Sequence, residues 1–238
     1  MFYFDYIDDK KVLKSDFLPN LTHFFTTRES IIKSSEPEMN SSIEANKELI
    51  CQYLNTNELV CPTQTHSANV DFATQGKIDY PNTDALILNN SKQAIFLNFA
   101  DCTPVILYDK KNHIGAIAHA GWRGTAQKIA TKTIEIMQSN SKDIVAVIGP
   151  AISECCYEVG EDVFNQLKST VQNFDGLYKS NNKKLFVDLK NINARQLEEI
   201  GVKEIDICPY CTCCNNDIFF SYRKENATTN RHSAVIKL

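Results

Sequence analysis

The sequence predicts an α/β (α+β) fold, a single domain over residues 1–238 in which mixed β-sheets are layered with helices. Three observations predict it. Continuous apolar runs of strand length recur along the chain, as in strands buried on both faces. Stretches of helical periodicity alternate with them. The eight glycines form no Gly-x-Gly-x-x-Gly arrangement, which sets aside a dinucleotide-binding fold.

Residues 3–7 and 23–27 read as short strands, and the polar stretch 34–42 as a loop. Residues 42–54 carry Ile43, Leu49, Ile50 and Tyr53 at helical spacing. Strand signals dominate next, at 94–99, 104–108 and 114–119. Residues 124–137 then predict one helix, with Ala126, Ile129, Ala130, Ile134 and Met137 on one face. A strand at 144–148 ends in Gly149-Pro150. Beyond it the pattern predicts helices over 161–169 and 192–200 and strands at 185–188, 204–207 and 234–237.

Hydrophobic residues make up 43% of the chain and charged residues 23%, the balance of a soluble globular protein. A net charge of −4 leaves no basic footprint, so nucleic acid is not the expected partner. No apolar stretch approaches the ~20 residues that cross a bilayer. The acid-bearing start, without a basic leader, predicts a cytoplasmic protein. Nine cysteines in such a chain are expected as reduced thiols. Four crowd together at Cys208, Cys211, Cys213 and Cys214. Cys208-Pro-Tyr-Cys211 needs a second pair to close a zinc knuckle; Cys213 and Cys214 stand too close together to supply it, and His232 is alone. They read as partly buried thiols flanking a strand. No coiled-coil segment points to an oligomeric state.

The chemistry concentrates in His119-Ala120-Gly121-Trp122-Arg123-Gly124, Asp101-Cys102 and Gln64-Thr65-His66. Two imidazoles and a thiolate at the ends of strand-like stretches make a three-ligand metal site with one position open, as in catalytic zinc sites. Cys102 follows a strand ending near Ala100, His119 closes another, and His66 is expected to start or end a third. If the first two strands are neighbours, Cys102 and His119 can converge at one sheet edge. A bound cation would hold Cys102 as thiolate and bring a water toward a pKa near ~7. Gly121 and Gly124 bracket Trp122 and Arg123 at a strand-to-helix turn that suits an anionic or polar ligand, and no packing role for the Trp–Arg pair is legible.

These motifs, with Gly149-Pro150-Ala151-Ile152, Tyr157-Glu158-Val159 and Phe219-Phe220-Ser221-Tyr222-Arg223, resemble the YfiH-type, laccase-domain family. Its members carry the labels polyphenol oxidase, multicopper oxidoreductase, purine nucleoside phosphorylase and peptidoglycan editing factor. The likeness runs from Phe24-Phe25-Thr26-Thr27-Arg28 to the last strand. It implies a YfiH-like α/β fold and a zinc ion on His66, Cys102 and His119, with copper entering by substitution. It departs after Arg28, where Glu29-Ser30-Ile31 replaces a glycine pair, and at Asn230-Arg231-His232, where Gly-Arg is usual. Five histidines are too few for a mononuclear copper plus a trinuclear cluster, so a laccase centre is not expected within one chain.

The resemblance implies instead phosphorolysis of adenosine, inosine, guanosine or methylthioadenosine, and hydrolytic deamination of adenosine. Asp101 would move the proton or orient a histidine ligand. Arg123 is a candidate catalytic cation, and Arg28, Gln64 and Arg223 are candidate substrate contacts, the arginines as a phosphate seat. Tyr157 and Tyr222 read as core or capping residues. Three alternatives stay open: an amide hydrolase editing peptidoglycan precursors, a metal-free hydrolase with Cys102 as nucleophile and His119 or His66 as base, and a binding module without turnover.

Overall fold

The apolar runs become strands buried on both faces, because two sheets pack against each other and each is covered outside by helix. The computed structural model describes all 238 residues. In chain order it contains β1 (Phe2–Ile7), β2 (Lys10–Ser15), β3 (Thr22–Thr26), α1 (Asn40–Leu54), β4 (Glu58–Val60), β5 (Val70–Phe72) and β6 (Ala85–Leu88). There follow β7 (Gln93–Phe99), β8 (Thr103–Asp109), β9 (Ile114–Ala120), α2 (Trp122–Ala126), α3 (Ile129–Met137), β10 (Ile144–Ile148), β11 (Glu158–Val159) and α4 (Glu161–Lys168). The chain finishes with β12 (Tyr178–Asn181), β13 (Lys184–Val187), α5 (Leu189–Glu199), β14 (Glu204–Ile207) and β15 (His232–Lys237). No helix is long and apolar enough to cross a membrane.

One six-stranded sheet runs β1-β2-β3-β15-β7-β4, the other β14-β10-β8-β9-β6-β5, and β11-β13-β12 form a small third sheet. Side-chain alternation assigns the layers. Ile95, Leu97 and Phe99 of β7 meet Leu86, Ile106, Ile117 and Val147 of the facing sheet in the central core. Ala94 and Phe96, one residue out of phase, pack against Ile50 and Leu54 of α1. On the far side of the second sheet, Ile87, Val105, Leu107 and Ala118 meet Ile129 and Ile134 of α3 and Leu197 of α5. The order is helix, sheet, sheet, helices, and all seven residues of β8 are therefore buried.

Several expectations need correction. The helix expected over 124–137 is two: α2 starts at Trp122, and Lys128, at φ 55°, turns the chain left-handed before α3. That turn frees α3 to lay Ile129, Ala130, Ile134 and Met137 on the sheet. Trp122 does have a packing role, against the satellite core of Leu167, Phe174, Val187 and Leu189 beside the small sheet. The strand ending before Ala100 is not a neighbour of the His119 strand; β7 and β9 lie in different sheets. Cys102 instead lies on the link from β7 to β8, and β8 pairs with β9 so that Pro104 is opposite His119. His66 is in a loop rather than at a strand end. The sequence does not mark β2, β4, β5, β6, β11 or β12: β2 flanks Val12 and Leu13 with lysines, and the others have four residues or fewer.

The sheets approach each other closely where β10 runs into Gly149. A Cβ there would lie 2.2 Å from Cε1 of Phe25 on the opposite sheet. Gly149→Ala should lower stability by about 1–3 kcal/mol through overpacking, measured as a shift of the denaturant midpoint. His232 is buried between the rings of Phe99 and Phe219, with neither ring nitrogen in a hydrogen bond of good geometry. Burial drives its pKa down to about 3, the Pro150 carbonyl only partly opposing this. The unfolded chain takes up a proton near pH 6.5 and the folded chain does not, so stability is complete above that pH and falls as the pH drops toward 3. Between pH 7 and 5 the parent should lose about 2 kcal/mol more than His232→Phe, read from urea unfolding at each pH.

Candidate metal centre

The site is organised by Asp84, a residue the sequence reading passed over. Asp84 immediately precedes β6 and is fully buried. Its carboxylate accepts hydrogen bonds from the N–H groups of Thr65 (3.1 Å), His66 (3.0 Å) and Ser67 (2.7 Å), from Ser67 Oγ (2.7 Å) and from His119 Nδ1 (2.8 Å). Its main-chain carbonyl accepts the His119 N–H at 2.8 Å. Burial opposes the charge, but the His119 and Ser67 hydrogen bonds prevail and hold the carboxyl well below the usual range. The signal in the sequence was an acid abutting the wholly apolar Ala85-Leu86-Ile87-Leu88, which cannot stay buried without donors.

With Nδ1 committed to Asp84, His119 keeps Nε2 for an acceptor or a metal, the arrangement that commonly orients an imidazole ligand. His66 stands edge-on to it, ring centroids 4.8 Å apart at 69°. The ligand atoms of His66, Cys102 and His119 all lie within 4.8 Å of one another. The structure thus brings together the three residues singled out as ligands. His66 reaches this position at φ 60°, a left-handed conformation rare for a residue with a Cβ and held here by the hydrogen bond its N–H donates to Asp84. Gly121 makes room for the sulfur: a Cβ there would lie 2.9 Å from Cys102 Sγ and 3.3 Å from His66 Cδ2.

Electrostatics favour the charged forms. Burial opposes the Cys102 thiolate, but the charge and hydrogen bond of His119, then those of His66, outweigh it and bring the thiol down to about 6. Burial likewise opposes a charged His119, and the Cys102 thiolate, then Asp84, raise it to about 9. A thiolate and two imidazoles with one ring braced by a carboxylate fit a single thiophilic divalent ion. They do not fit a copper cluster, because the other imidazoles are engaged elsewhere. His23 bridges Leu21 O and Ser15 N–H, His113 meets the Tyr108 hydroxyl, and His232 lies among aromatic rings.

The three residues open onto a cavity of about 1370 Å³, also lined by Gln64, Asp101, Tyr157, Tyr222, Arg223 and Arg231. Gln64 bonds the backbone of Asn98 through both ends of its amide (2.9 Å each), so it fixes the His66 loop to β7. Asp101, at φ 81°, accepts from Thr212 Oγ1 (2.6 Å) and the Arg223 N–H (2.7 Å); the residue orienting a histidine is Asp84, not Asp101. Arg28 does not line the cavity: it pairs with Glu225 at 2.5 Å and stacks on Phe220. Arg123 does not line it either, its guanidinium lying 4.2 Å over the Trp122 ring. Arg223 uses its head on the carbonyls of Cys156 and Glu158, and Arg231 on those of Thr228 and Asn230. Neither meets a carboxylate. Arg231, just before β15, is not among the site residues read from the sequence; that it lines the cavity follows from tertiary structure alone.

Comparison with known proteins agrees with this architecture. A protein of Bacteroides thetaiotaomicron named purine nucleoside phosphorylase is 30% identical over 257 residues, covering 94% of each chain. Purine nucleoside phosphorylase YlmD of Geobacillus stearothermophilus is 34% identical over 194 residues, covering 74% of this chain and 71% of the relative. The crystal structure of the Bacillus licheniformis hypothetical protein YfiH superposes with a TM-score of 0.89 at 28% identity, covering 99% of this chain and 98% of the other. The family model described as multi-copper polyphenol oxidoreductase laccase matches residues 32–238, and the chain belongs to that family.

Proposed function

We propose that this chain is a zinc-dependent purine nucleoside enzyme, which cleaves adenosine, inosine, guanosine or methylthioadenosine with phosphate and also deaminates adenosine with water. One observation carries the proposal: a His-Cys-His donor set opens onto a cavity large enough for a nucleoside and phosphate together, lined by two guanidinium groups without carboxylate partners. The names of the relatives support the substrate class. Zinc is the ion of choice for two imidazoles and a thiolate with a position left open, and copper would enter by substitution.

When bound, the ion supplies a Lewis acid that acidifies water and withdraws charge from the reacting group. The chain supplies the rest. Arg223 and Arg231 hold phosphate, whose oxygen bonds to the ribose C1′ as the C1′–N9 bond breaks and the purine leaves with the bonding pair. The aromatic faces of Tyr157 and Tyr222 seat the base. In deamination the water oxygen bonds to C6, the C6–amino bond breaks, and ammonia leaves. Asp101, fixed by Thr212 and the Arg223 amide, takes the proton from the water and passes it to the departing nitrogen. Arg28 and Arg123 act from outside the cavity: Arg28 braces the 216–225 loop through Asn216 and Glu225, and Arg123 lies over Trp122.

A second reading rests on a specific feature: Cys102, His119 and Asp84 also form a nucleophile–base–carboxylate relay of the kind used by thiol hydrolases. Metal dependence separates the two, since an ion on Cys102 occupies the nucleophile.

Two measurements test the proposal. Purified protein incubated with adenosine and phosphate should yield adenine with ribose 1-phosphate, and inosine, by chromatography; Cys102→Ala and chelator-treated protein should yield neither. Turnover that survives chelation would favour the thiol hydrolase, and no turnover by folded, zinc-loaded protein would remove the nucleoside reading. Asp84→Asn should weaken zinc binding by about 10- to 100-fold, measured by competition with a chromophoric chelator.

A further inference from the structure

The pair missing from the C-terminal cysteine cluster comes from another part of the chain. β10 and β14 are parallel neighbours, Val145 opposite Glu204 through Ile148 opposite Ile207. The loops leaving their C-terminal ends stay together: Cys208 N–H donates to Ile148 O, Ala151 bridges to Cys211, and Thr212 N–H donates to Ala151 O. One loop carries Cys155 and Cys156, the other Cys211 and Cys214. The four Sγ atoms all lie within 4.8 Å of one another. Cys208, buried in the central core, and Cys213 are not in the group, so the neighbours in sequence are only partly the neighbours in space.

We infer that Cys155, Cys156, Cys211 and Cys214 form a second metal site, a closed four-thiolate zinc centre distinct from the His66–Cys102–His119 group. The spacing supports it. Four sulfurs at ~2.3 Å from a central zinc stand about 3.8 Å apart in a tetrahedron. Cys214 Sγ lies 3.6 Å from Cys155 Sγ and 3.5 Å from Cys156 Sγ. Both separations are close to the edge of such a tetrahedron. Adjacent Cys155 and Cys156 both reach the centre because the chain turns there, the amides of Cys156 and Tyr157 both donating to Ser153 O at 2.9 Å. Cys211-x-x-Cys214 has the spacing of a zinc knuckle. The buried Cys211 sulfur also accepts the Ser153 N–H at 3.4 Å, the type of hydrogen bond that supports a thiolate ligand. Four protein ligands leave no open position, so the ion is structural.

Its place gives it work. The two loops it would clamp carry or brace residues that line the cavity: Tyr157 follows Cys156, Thr212 lies between the Cys211 and Cys214 ligands and holds Asp101, and Arg223 donates to the Cys156 carbonyl. The zinc would therefore position residues of the neighbouring site while touching none of its substrate.

Metal content of the full-length protein, purified under reducing conditions and analysed by mass spectrometry, tests this. The parent should hold two zinc ions per chain, Cys155→Ser/Cys214→Ser one, and His119→Ala one. His119→Ala/Cys214→Ser should hold none. The His119→Ala protein makes the outcome independent of the nucleoside proposal, because the zinc it keeps can only be that of the cluster. Should the serine variants fail to fold, the parent decides: five of its nine cysteines should titrate or ligate outside the cluster, and a mercurial thiol reagent should release the second zinc as the other four react. A parent with a single zinc that His119→Ala abolishes, iron in place of zinc, or a disulfide among the four cysteines in the intact mass would overturn the inference.

Discussion

The buried Asp84 carboxylate is the constraint on which the site depends. A carboxylate without access to water is tolerable only where donors surround it. Here the donors are the backbone of the loop carrying His66 and the ring of His119. Satisfying one charge therefore fixes a loop conformation, a left-handed residue and an imidazole orientation together. The local fold and the ligand geometry have a common cause, which is why the three donors converge although they come from a loop, a link between sheets and a strand end.

Around that centre, the four layers determine what each neighbouring residue can do. β8 and β9, covered on both faces, are rigid supports, and Cys102 and His119 sit at the same end of their antiparallel pair. Residues delivered by loops share the cavity with them, and their polar atoms are largely engaged by backbone: Gln64 by Asn98, Arg223 by Cys156 and Glu158. Arg223 and Arg231, which face the cavity, meet no carboxylate there. A cluster of several coppers, as the family description names, has no donor set in this arrangement, because three of the five imidazoles are consumed by packing and local hydrogen bonds.

Much of this was legible in the sequence, for identifiable reasons. Strands buried on both faces leave uninterrupted apolar runs, so β7 through β10 could be read directly. Metal-donor side chains beside such runs stand out, which marks Cys102 and His119 as candidates, while His66 is marked by its place in Gln64-Thr65-His66. What escaped depended on distance along the chain. Asp84 lies far in sequence from His119, and nothing local marks Arg231 as a cavity residue or Arg28 as the partner of Glu225. The break at Lys128 escaped because periodicity continues across it. The cysteine group escaped because half of it comes from the neighbouring parallel strand's loop.

The position of β15 has a consequence for how the chain is made. The last strand of the sequence is not at an edge but lies between β3 and β7, pairing with both. Until it emerges from the ribosome, the amino-terminal β1–β2–β3 unit has nothing to join it to β7, and the half of the central core that faces β10 stays open. The second sheet lacks this dependence, since all its strands precede β15. Synthesis should therefore pass through a stage in which one sheet is assembled against helices while the other waits with exposed apolar edges, the stage at which a growing chain of this topology most needs shielding from its neighbours.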